Sequence, residues 1–120
     1  MANTRGLDPQ FKAVADELIA FLRSLDPRFV ITSGLRSFQD QARLFARFQA
    51  NEPGLYTVMP PGRSQHERGY AVDIARVGVS ALNDPVLRAV GLAWRSLGGV
   101  WGGEKDPVHF EAPKWMTGRR

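Results

Sequence analysis

Apolar residues recur at every third or fourth position in three segments of the chain, which is the spacing of an amphipathic helix. The first segment begins at Asp8–Pro9, a favoured pair for the cap and first turn of a helix, and ends near Leu25. The second begins after Ser37, and the third runs from Asp84–Pro85 to Gly98–Gly99. We therefore predict three helices, whose apolar positions are Phe11, Val14, Ala15, Leu18, Ile19 and Leu22, then Phe38, Ala42, Leu44, Phe45 and Phe48, then Val86, Leu87, Val90, Leu92, Ala93 and Leu97.

Three shorter segments have the composition or the alternation of β-strands. Phe29–Thr32 is apolar and β-branched, whereas Tyr70–Ala75 and Val108–Glu111 alternate. Between the second helix and the second strand, residues 53–63 are rich in Pro and Gly and predict a loop. The order of elements lacks the regular strand–helix–strand alternation of a doubly wound sheet. It predicts an α+β fold with a small, mainly antiparallel sheet flanked by helices.

The second predicted strand places a carboxylate among small residues. Because strand side chains alternate between faces, Tyr70, Val72 and Ile74 share one face, while Asp73 lies between two alanines on the other. An unpaired charge on a half-buried sheet is costly, so this carboxylate needs a partner. An arginine or a metal ion would serve, and the strand alone leaves both open.

The composition narrows the chemistry of such a site. The chain has 120 residues and no cysteine, which excludes disulfide scaffolds, thiolate metal sites and cysteine nucleophiles. Any metal ligand must therefore be His, Asp or Glu. No apolar stretch has the length of a membrane span, and no apolar run follows Arg5, so we expect neither a transmembrane segment nor a secretory signal.

The charge of the chain favours an anionic partner. Its formal net charge is +4 and its pI is near 10.1, which would suit nucleic acid or the phosphate-rich polymers of a bacterial envelope. The arginines are scattered, and the adjacent pair Arg119 and Arg120 lies at the chain end. Because no recognition helix or RNA-binding motif accompanies them, we expect no nucleic-acid partner.

The two histidines of the chain lie before or within predicted strands. His66 precedes Asp73 by seven residues across a glycine, and His109 shares one face of the third strand with Glu111. Two imidazoles and a carboxylate with one open position form the ligand set of a catalytic zinc site. Each residue alone is also compatible with a structural role. A zincin helix is excluded, because Tyr70 stands where HExxH requires its second histidine.

Three ordered motifs then give the chain a resemblance to a known enzyme family. The pattern S-x-H-x-x-G-x-A-x-D is preceded by S-G-x-R-S-x-x-x-Q-x-x-L-F and followed by D-x-x-H. Together they resemble the zinc peptidases that include VanY-like D-alanyl-D-alanine carboxypeptidases and the L-alanyl-D-glutamate peptidases found as phage endolysins. The matching positions are Ser33, Gly34, Arg36, Ser37, Gln41, Leu44, Phe45, Ser64, His66, Gly69, Ala71, Asp73, Asp106 and His109.

The resemblance implies a hedgehog-like or D-Ala-D-Ala peptidase-like fold with a zinc site at the sheet face. His66, Asp73 and His109 would bind Zn2+. Asp106, three residues before the last ligand, would be the general base and then the acid; many relatives carry Glu there and the endolysin-like peptidases carry Asp. Arg36 would stabilise the negative charge that develops on the attacked carbonyl.

Other polar and aromatic residues have roles that the resemblance leaves open. Ser64 and Gln41 would either position substrate or brace the loop. Glu104 is an alternative to Asp106, and Glu111 would either orient a metal ligand or lie at an exposed rim. The tryptophans could line a substrate groove, although we expect core packing for Trp94; they are Trp94, Trp101 and Trp115.

The implied function is zinc-dependent hydrolysis of peptidoglycan stem peptides. We expect a phage or prophage endolysin that cuts L-Ala–D-Glu, acts on an anionic cell envelope and works as a monomeric peptidase domain over residues 1–120, without a separate cell-wall-binding domain. Without a signal, it would stay in the host cytoplasm until holin-type release or be carried by the virion. The alternatives are a D-Ala-D-Ala carboxypeptidase or dipeptidase and an inactive cell-wall-binding module that keeps the zinc fold.

Overall fold

A computed structural model describes residues 3–53, 55 and 58–118 of the chain. The described residues form an α+β fold, as predicted. Two short 3-10 turns, Ala81–Asn83 and Gly103–Lys105, lie in the connections. The helices and strands, in chain order, are α1 Pro9–Leu25, β1 Phe29–Ser33, α2 Phe38–Gln49, β2 Ala71–Arg76, α3 Pro85–Ser96, β3 Val100–Trp101, β4 His109–Glu111 and α4 Lys114–Thr117.

The three predicted helices begin at the predicted caps. Asp8 accepts hydrogen bonds from the first free backbone N–H groups of α1, and Asp84 does the same for α3. The Ser37 hydroxyl accepts from Asp40 N at the start of α2. Each side chain satisfies N–H groups that have no partner within the helix, so short-range sequence determines where these helices begin.

The sheet has four strands in the order β1-β2-β4-β3. All of its described pairings are antiparallel, which confirms the predicted sheet type. The two-residue strand β3 and the single helical turn α4 were not predicted, because neither is long enough to show a hydrophobic period. The predicted strand at 108–111 begins at His109, and part of the predicted loop 53–63 lies outside the described residues.

One face of the sheet carries the hydrophobic core. Val72 pairs with Phe110 and Ile31 with Ile74 on this face, where α1 and α3 cover them. The opposite face carries the polar residues of the middle strands. The core comprises Leu7, Phe11, Ala15, Ile19, Leu22, Phe29, Ile31, Val72, Ile74, Leu87, Trp94, Trp101, Phe110 and Ala112.

The three tryptophans differ in their surroundings. Trp94 and Trp101 are buried in the core, as expected for Trp94, and each indole N–H donates to a backbone carbonyl. Trp115 is 69% exposed. None of the helices in the described part of the chain has the length and apolar content needed to cross a membrane.

Candidate metal centre and active site

The three predicted metal ligands meet on the polar face of the sheet. Asp73 lies in β2 directly opposite His109, the first residue of β4, because the antiparallel register pairs these two positions. His66 comes from the turn before β2. This turn is closed by a bond from Tyr70 N to Gln65 O, and Gly69 takes a φ of +78° that favours glycine.

Both imidazoles approach the same carboxylate oxygen. His66 Nε2 lies 3.2 Å and His109 Nδ1 lies 3.3 Å from Asp73 Oδ1. The three candidate ligand atoms lie within 4.8 Å of one another. Two nitrogens and one oxygen that converge in this way match the donor set of a catalytic zinc site.

The remaining ring nitrogen of each histidine has its own acceptor. His66 Nδ1 lies 2.9 Å from the backbone carbonyl of Gly34, and His109 Nε2 lies 2.9 Å from Glu111 Oε1. Because a carbonyl or carboxylate can only accept, Nδ1 of His66 and Nε2 of His109 would keep their protons and donate when a metal is bound. Nε2 of His66 and Nδ1 of His109, which face Asp73 Oδ1, would then be the nitrogens that bind the metal, as is usual for zinc-binding histidines.

The electrostatics of this cluster favour a cation. Burial alone would raise the pKa of Asp73, but hydrogen bonds with His109 and His66 outweigh it and hold that pKa well below its usual range. Burial likewise opposes charge on His109, yet its bonds to Asp73 and Glu111 raise its pKa to about 10. The carboxylates that stabilise a proton here would also stabilise a metal ion that displaces it.

Arg36 lies beside the cluster, at the start of the connection from β1 to α2. Its Nη2 is 3.5 Å from Asp73 Oδ2 and 2.7 Å from the hydroxyl of Ser33. Its Nη1 donates to Gln41 Oε1 at 2.7 Å. The guanidinium is therefore both an ion-pair partner of the Asp73 carboxylate and a positive charge at the site.

Ser64 and Gln41 take bracing positions. Gln41 is 1% exposed, and its amide links Arg36 to the backbone carbonyl of Met59, to which Nε2 donates at 2.7 Å. Ser64 is buried, and its hydroxyl accepts from the backbone N–H of His66. These contacts favour the bracing role over direct substrate contact, although both residues line the groove described below.

Asp106 lies in the turn between β3 and β4 and faces the same groove as the histidines. Burial raises its pKa to about 6, and the nearby Asp73 carboxylate adds to that rise against the opposing effect of His109. A carboxylate with such a pKa can take and return a proton near neutral pH. Glu104, the alternative, is exposed and forms an ion pair with Arg88 at 2.7 Å.

A groove of about 440 Å³ runs over the cluster. Arg36 is the one arginine or lysine among its described lining residues, which include three carboxylates, those of Asp73, Asp106 and Glu111. This excess of negative charge suits a divalent cation. The apolar part of the lining consists of Leu44, Leu55, Val58, Met59, Val100 and Val108.

The sequence of the chain matches the model of a known protein family. The family model described as VanY, D-alanyl-D-alanine carboxypeptidase, matches residues 4–94, which is most of the chain. The chain belongs to the VanY family. The match includes Arg36, His66 and Asp73 and ends before Asp106 and His109, which the fold brings to the same site.

Individual relatives of this VanY-family chain agree with that assignment. The peptidoglycan L-alanyl-D-glutamate endopeptidase CwlK of Bacillus subtilis (strain 168) is 30% identical over 122 residues, covering 88% of this chain and 72% of CwlK. The structure of the Serratia marcescens L-Ala D-Glu endopeptidase ChiX has a TM-score of 0.62 and 28% identity, covering 96% of this chain and 86% of ChiX. A VanY D,D-pentapeptidase from a VanB-type resistance cassette, solved in complex with Zn(II), has a TM-score of 0.66 and 20% identity, covering 93% of this chain and 76% of that one.

Some residues of the VanY-family site had no signal of their own in the sequence. The acceptor for His66 is the carbonyl of Gly34, which every residue type possesses. Gly102 packs so closely against Asp106 and His109 that a Cβ there would overlap the Asp106 carbonyl. Sequence patterns do not reveal such contacts, because they depend on how distant segments pack.

Proposed function

We propose that this VanY-family chain is a zinc-dependent endopeptidase that hydrolyses the L-Ala–D-Glu bond of peptidoglycan stem peptides. The observation that carries the proposal is the convergence of His66, Asp73 and His109 on one point of a groove that Asp106 also lines. When bound, zinc supplies Lewis acidity, which activates water and polarises a carbonyl at neutral pH.

The side chains around the ligands supply the remaining chemistry. Asp106 takes a proton from the attacking water and gives it to the leaving amine, and its raised pKa suits both steps. Arg36 stabilises the negative charge that develops on the scissile carbonyl. Gln41 and Ser64 keep Arg36 and His66 in place through their hydrogen bonds.

Two observations support an internal bond as the target. CwlK and ChiX, the two compared relatives of higher identity, are both named L-Ala–D-Glu endopeptidases. A carboxypeptidase must also hold the terminal carboxylate of its substrate. Arg36, the one arginine or lysine among the described lining residues, is assigned to the scissile carbonyl, so the described lining offers no second such side chain for a terminal carboxylate.

The second candidate is a D-Ala-D-Ala carboxypeptidase, which the description of the matching family model favours. Both candidates share the metal site, the base and the stem-peptide substrate. They differ in the side of the scissile bond that must fit the groove, so a substrate that contains both bonds separates them.

A role in lysis is the wider proposal. Asp106 stands where the resemblance places Asp in phage endolysins, and the net charge of +4 suits an anionic envelope. Release through a holin, transport in a virion, and a monomeric, single-domain enzyme remain predictions of this proposal. Turbidity loss of permeabilised Gram-negative cells on addition of the purified chain would test it.

The deciding experiment incubates the zinc-loaded chain with a disaccharide pentapeptide and reads the products by mass spectrometry. We expect separation of disaccharide–L-Ala from a tetrapeptide that begins with D-Glu. Asp106→Asn should keep zinc and lose activity by about 10²–10⁴-fold, because only the proton transfer is removed. Glu104→Gln is the matched control and should retain wild-type activity.

Other outcomes separate the alternatives. Release of D-Ala with the L-Ala–D-Glu bond intact would assign the carboxypeptidase. A chain that binds zinc and peptidoglycan but cuts neither bond would assign the inactive binding module. A chain that binds no zinc would contradict the proposed mechanism.

A further inference from the structure

The two histidines of the proposed metal site are held by different kinds of acceptor. His66 donates from Nδ1 to the carbonyl of Gly34, which is part of the backbone. His109 donates from Nε2 to the side chain of Glu111. Glu111 is therefore the acceptor that a single substitution can change without altering the chain path.

The Glu111 carboxylate is placed by the sheet itself. Glu111 lies two residues after His109 on β4, so both side chains point to the same face. Strand β4 lies between β2 and β3, and Glu111 pairs with Ala71 on one side and Val100 on the other. Its backbone carbonyl accepts the indole N–H of Trp94 at 2.9 Å, which ties this point of the strand to the core.

We propose that Glu111 is a positioning residue that holds His109 with Nδ1 directed toward Asp73 and the metal. When a metal takes Nδ1, the 2.9 Å contact between Nε2 and Glu111 Oε1 keeps the remaining proton on Nε2 and fixes the rotation of the ring. Without it, either ring nitrogen could carry the proton, and the ring could turn away from Asp73. The inference rests on the proposed zinc-dependent function, because it concerns how tightly that site holds its metal.

Two conservative substitutions distinguish positioning from a general effect of charge. Glu111→Gln removes the charge but keeps an oxygen at the same reach, so Nε2–H still has an acceptor. Glu111→Asp keeps the charge but withdraws the carboxylate by one methylene. Positioning predicts that the Gln variant resembles the wild type and the Asp variant does not, whereas a charge effect predicts the reverse order.

The measurement is metal affinity of the full-length chain, with Zn2+ titrated against a competing chelator and the visible absorption spectrum of bound Co2+ as a second readout. We expect Glu111→Asp to weaken zinc binding by about 10–100-fold, the usual effect of losing a partner behind a ligating histidine, and to change the Co2+ spectrum. Glu111→Gln should stay within about 10-fold of the wild type and keep its spectrum. Glu104→Gln, at an exposed carboxylate paired with Arg88, is the control.

The possible results separate the failure of this inference from the failure of the proposed function. If the wild type binds neither ion, the zinc-dependent function fails, and the positioning role fails with it. If the wild type binds zinc and Glu111→Asp binds it equally well, only the positioning role is overturned. Affinity lost equally in both variants, or lost more in Glu111→Gln, also overturns it.

Discussion

At the scale of single residues, the turn that carries Asp106 depends on a position without a side chain. Gly102 N–H donates to His109 O at 2.9 Å, and His109 N–H donates to Asp106 O at 3.2 Å, so the turn folds back on the start of β4. A Cβ at Gly102 would overlap the Asp106 carbonyl and lie 3.0 Å from the Cβ of His109. Because Gly102 has no side chain, the turn can bring Asp106, the proposed base, to its position beside His109.

We predict that Gly102→Ala lowers catalysis more than it lowers zinc binding. The added methyl must displace the turn at Asp106, and a displacement of about 1 Å at a catalytic group can cost about 100-fold in rate. Steady-state hydrolysis of the disaccharide pentapeptide and zinc content on the same sample would check this.

Lys105→Ala is the control for that substitution, because Lys105 is exposed in the same turn. It should retain wild-type kcat and zinc content. A Gly102→Ala variant with wild-type kcat would show that the turn adjusts without moving Asp106.

At the scale of elements, helix α3 packs on the edge strand β3 through a glycine. A Cβ at Gly91 would overlap the indole ring of Trp101. The indole cannot move aside easily, because its N–H donates to Pro107 O at 2.8 Å and the guanidinium of Arg95 stacks 5.1 Å from its ring centre. Gly91 therefore permits the close approach of α3 that buries Trp101.

We predict that Gly91→Ala destabilises the protein, by about 1–3 kcal/mol for the forced repacking, net of any gain in helix propensity. On helix propensity alone, replacing a helical glycine by alanine would raise the free energy of unfolding by about 1 kcal/mol. The sign of the measured change therefore shows whether the clash with Trp101 outweighs propensity. Urea unfolding followed by circular dichroism would measure it.

Ala89→Gly serves as the comparison, because Ala89 is an exposed residue of the same helix. This substitution should lower the free energy of unfolding by about 1 kcal/mol through helix propensity alone. A stabilised Gly91→Ala variant would mean that Trp101 has room to shift.

At the scale of the whole molecule, the two faces of the sheet have different roles: one packs in the hydrophobic core and the other carries the proposed metal site. The core lies on the face formed by Val72, Ile74 and Phe110, and the proposed metal site lies on the other face. Within the described residues, every buried side-chain polar atom has a hydrogen-bond partner. Asp73 satisfies both histidines and pairs with Arg36. The hydrophobic core is thus formed by residues other than the proposed metal ligands.

We predict that the metal-free chain keeps its fold and that zinc only raises its stability. With free zinc at about 100 times Kd, the gain is about 2.7 kcal/mol, or a rise in Tm of roughly 10 °C for a chain of this size. Far-UV circular dichroism with chelator or with added zinc should give the same spectrum at 25 °C, and thermal scans should differ.

His109→Ala supplies the reference for this prediction, because its Tm should no longer rise by that amount with zinc. Loss of the helical far-UV spectrum on chelation would instead show that the chain folds only with the metal bound, as small zinc-dependent domains do.

The sequence by itself determined the local features of this protein and the identity of its proposed ligands. The caps at Asp8, Ser37 and Asp84 follow from short-range hydrogen bonding, and the two faces of β2 follow from strand alternation. The ordered motifs predict that His66, Asp73 and His109 share one site, and the fold brings their ligand atoms together. These predictions can be made from sequence because each depends on residues close together in the chain or on a motif read along it.

Only the tertiary structure decided how those residues meet. The register that sets Asp73 opposite His109, the acceptors Gly34 and Glu111, and the apolar wall of the groove join segments that are far apart in sequence. Gly91 and Gly102 have the same sequence signature as any glycine, and their importance lies in what packs against them. Such contacts depend on the packing of the complete chain, since burial and geometry are set by all elements together.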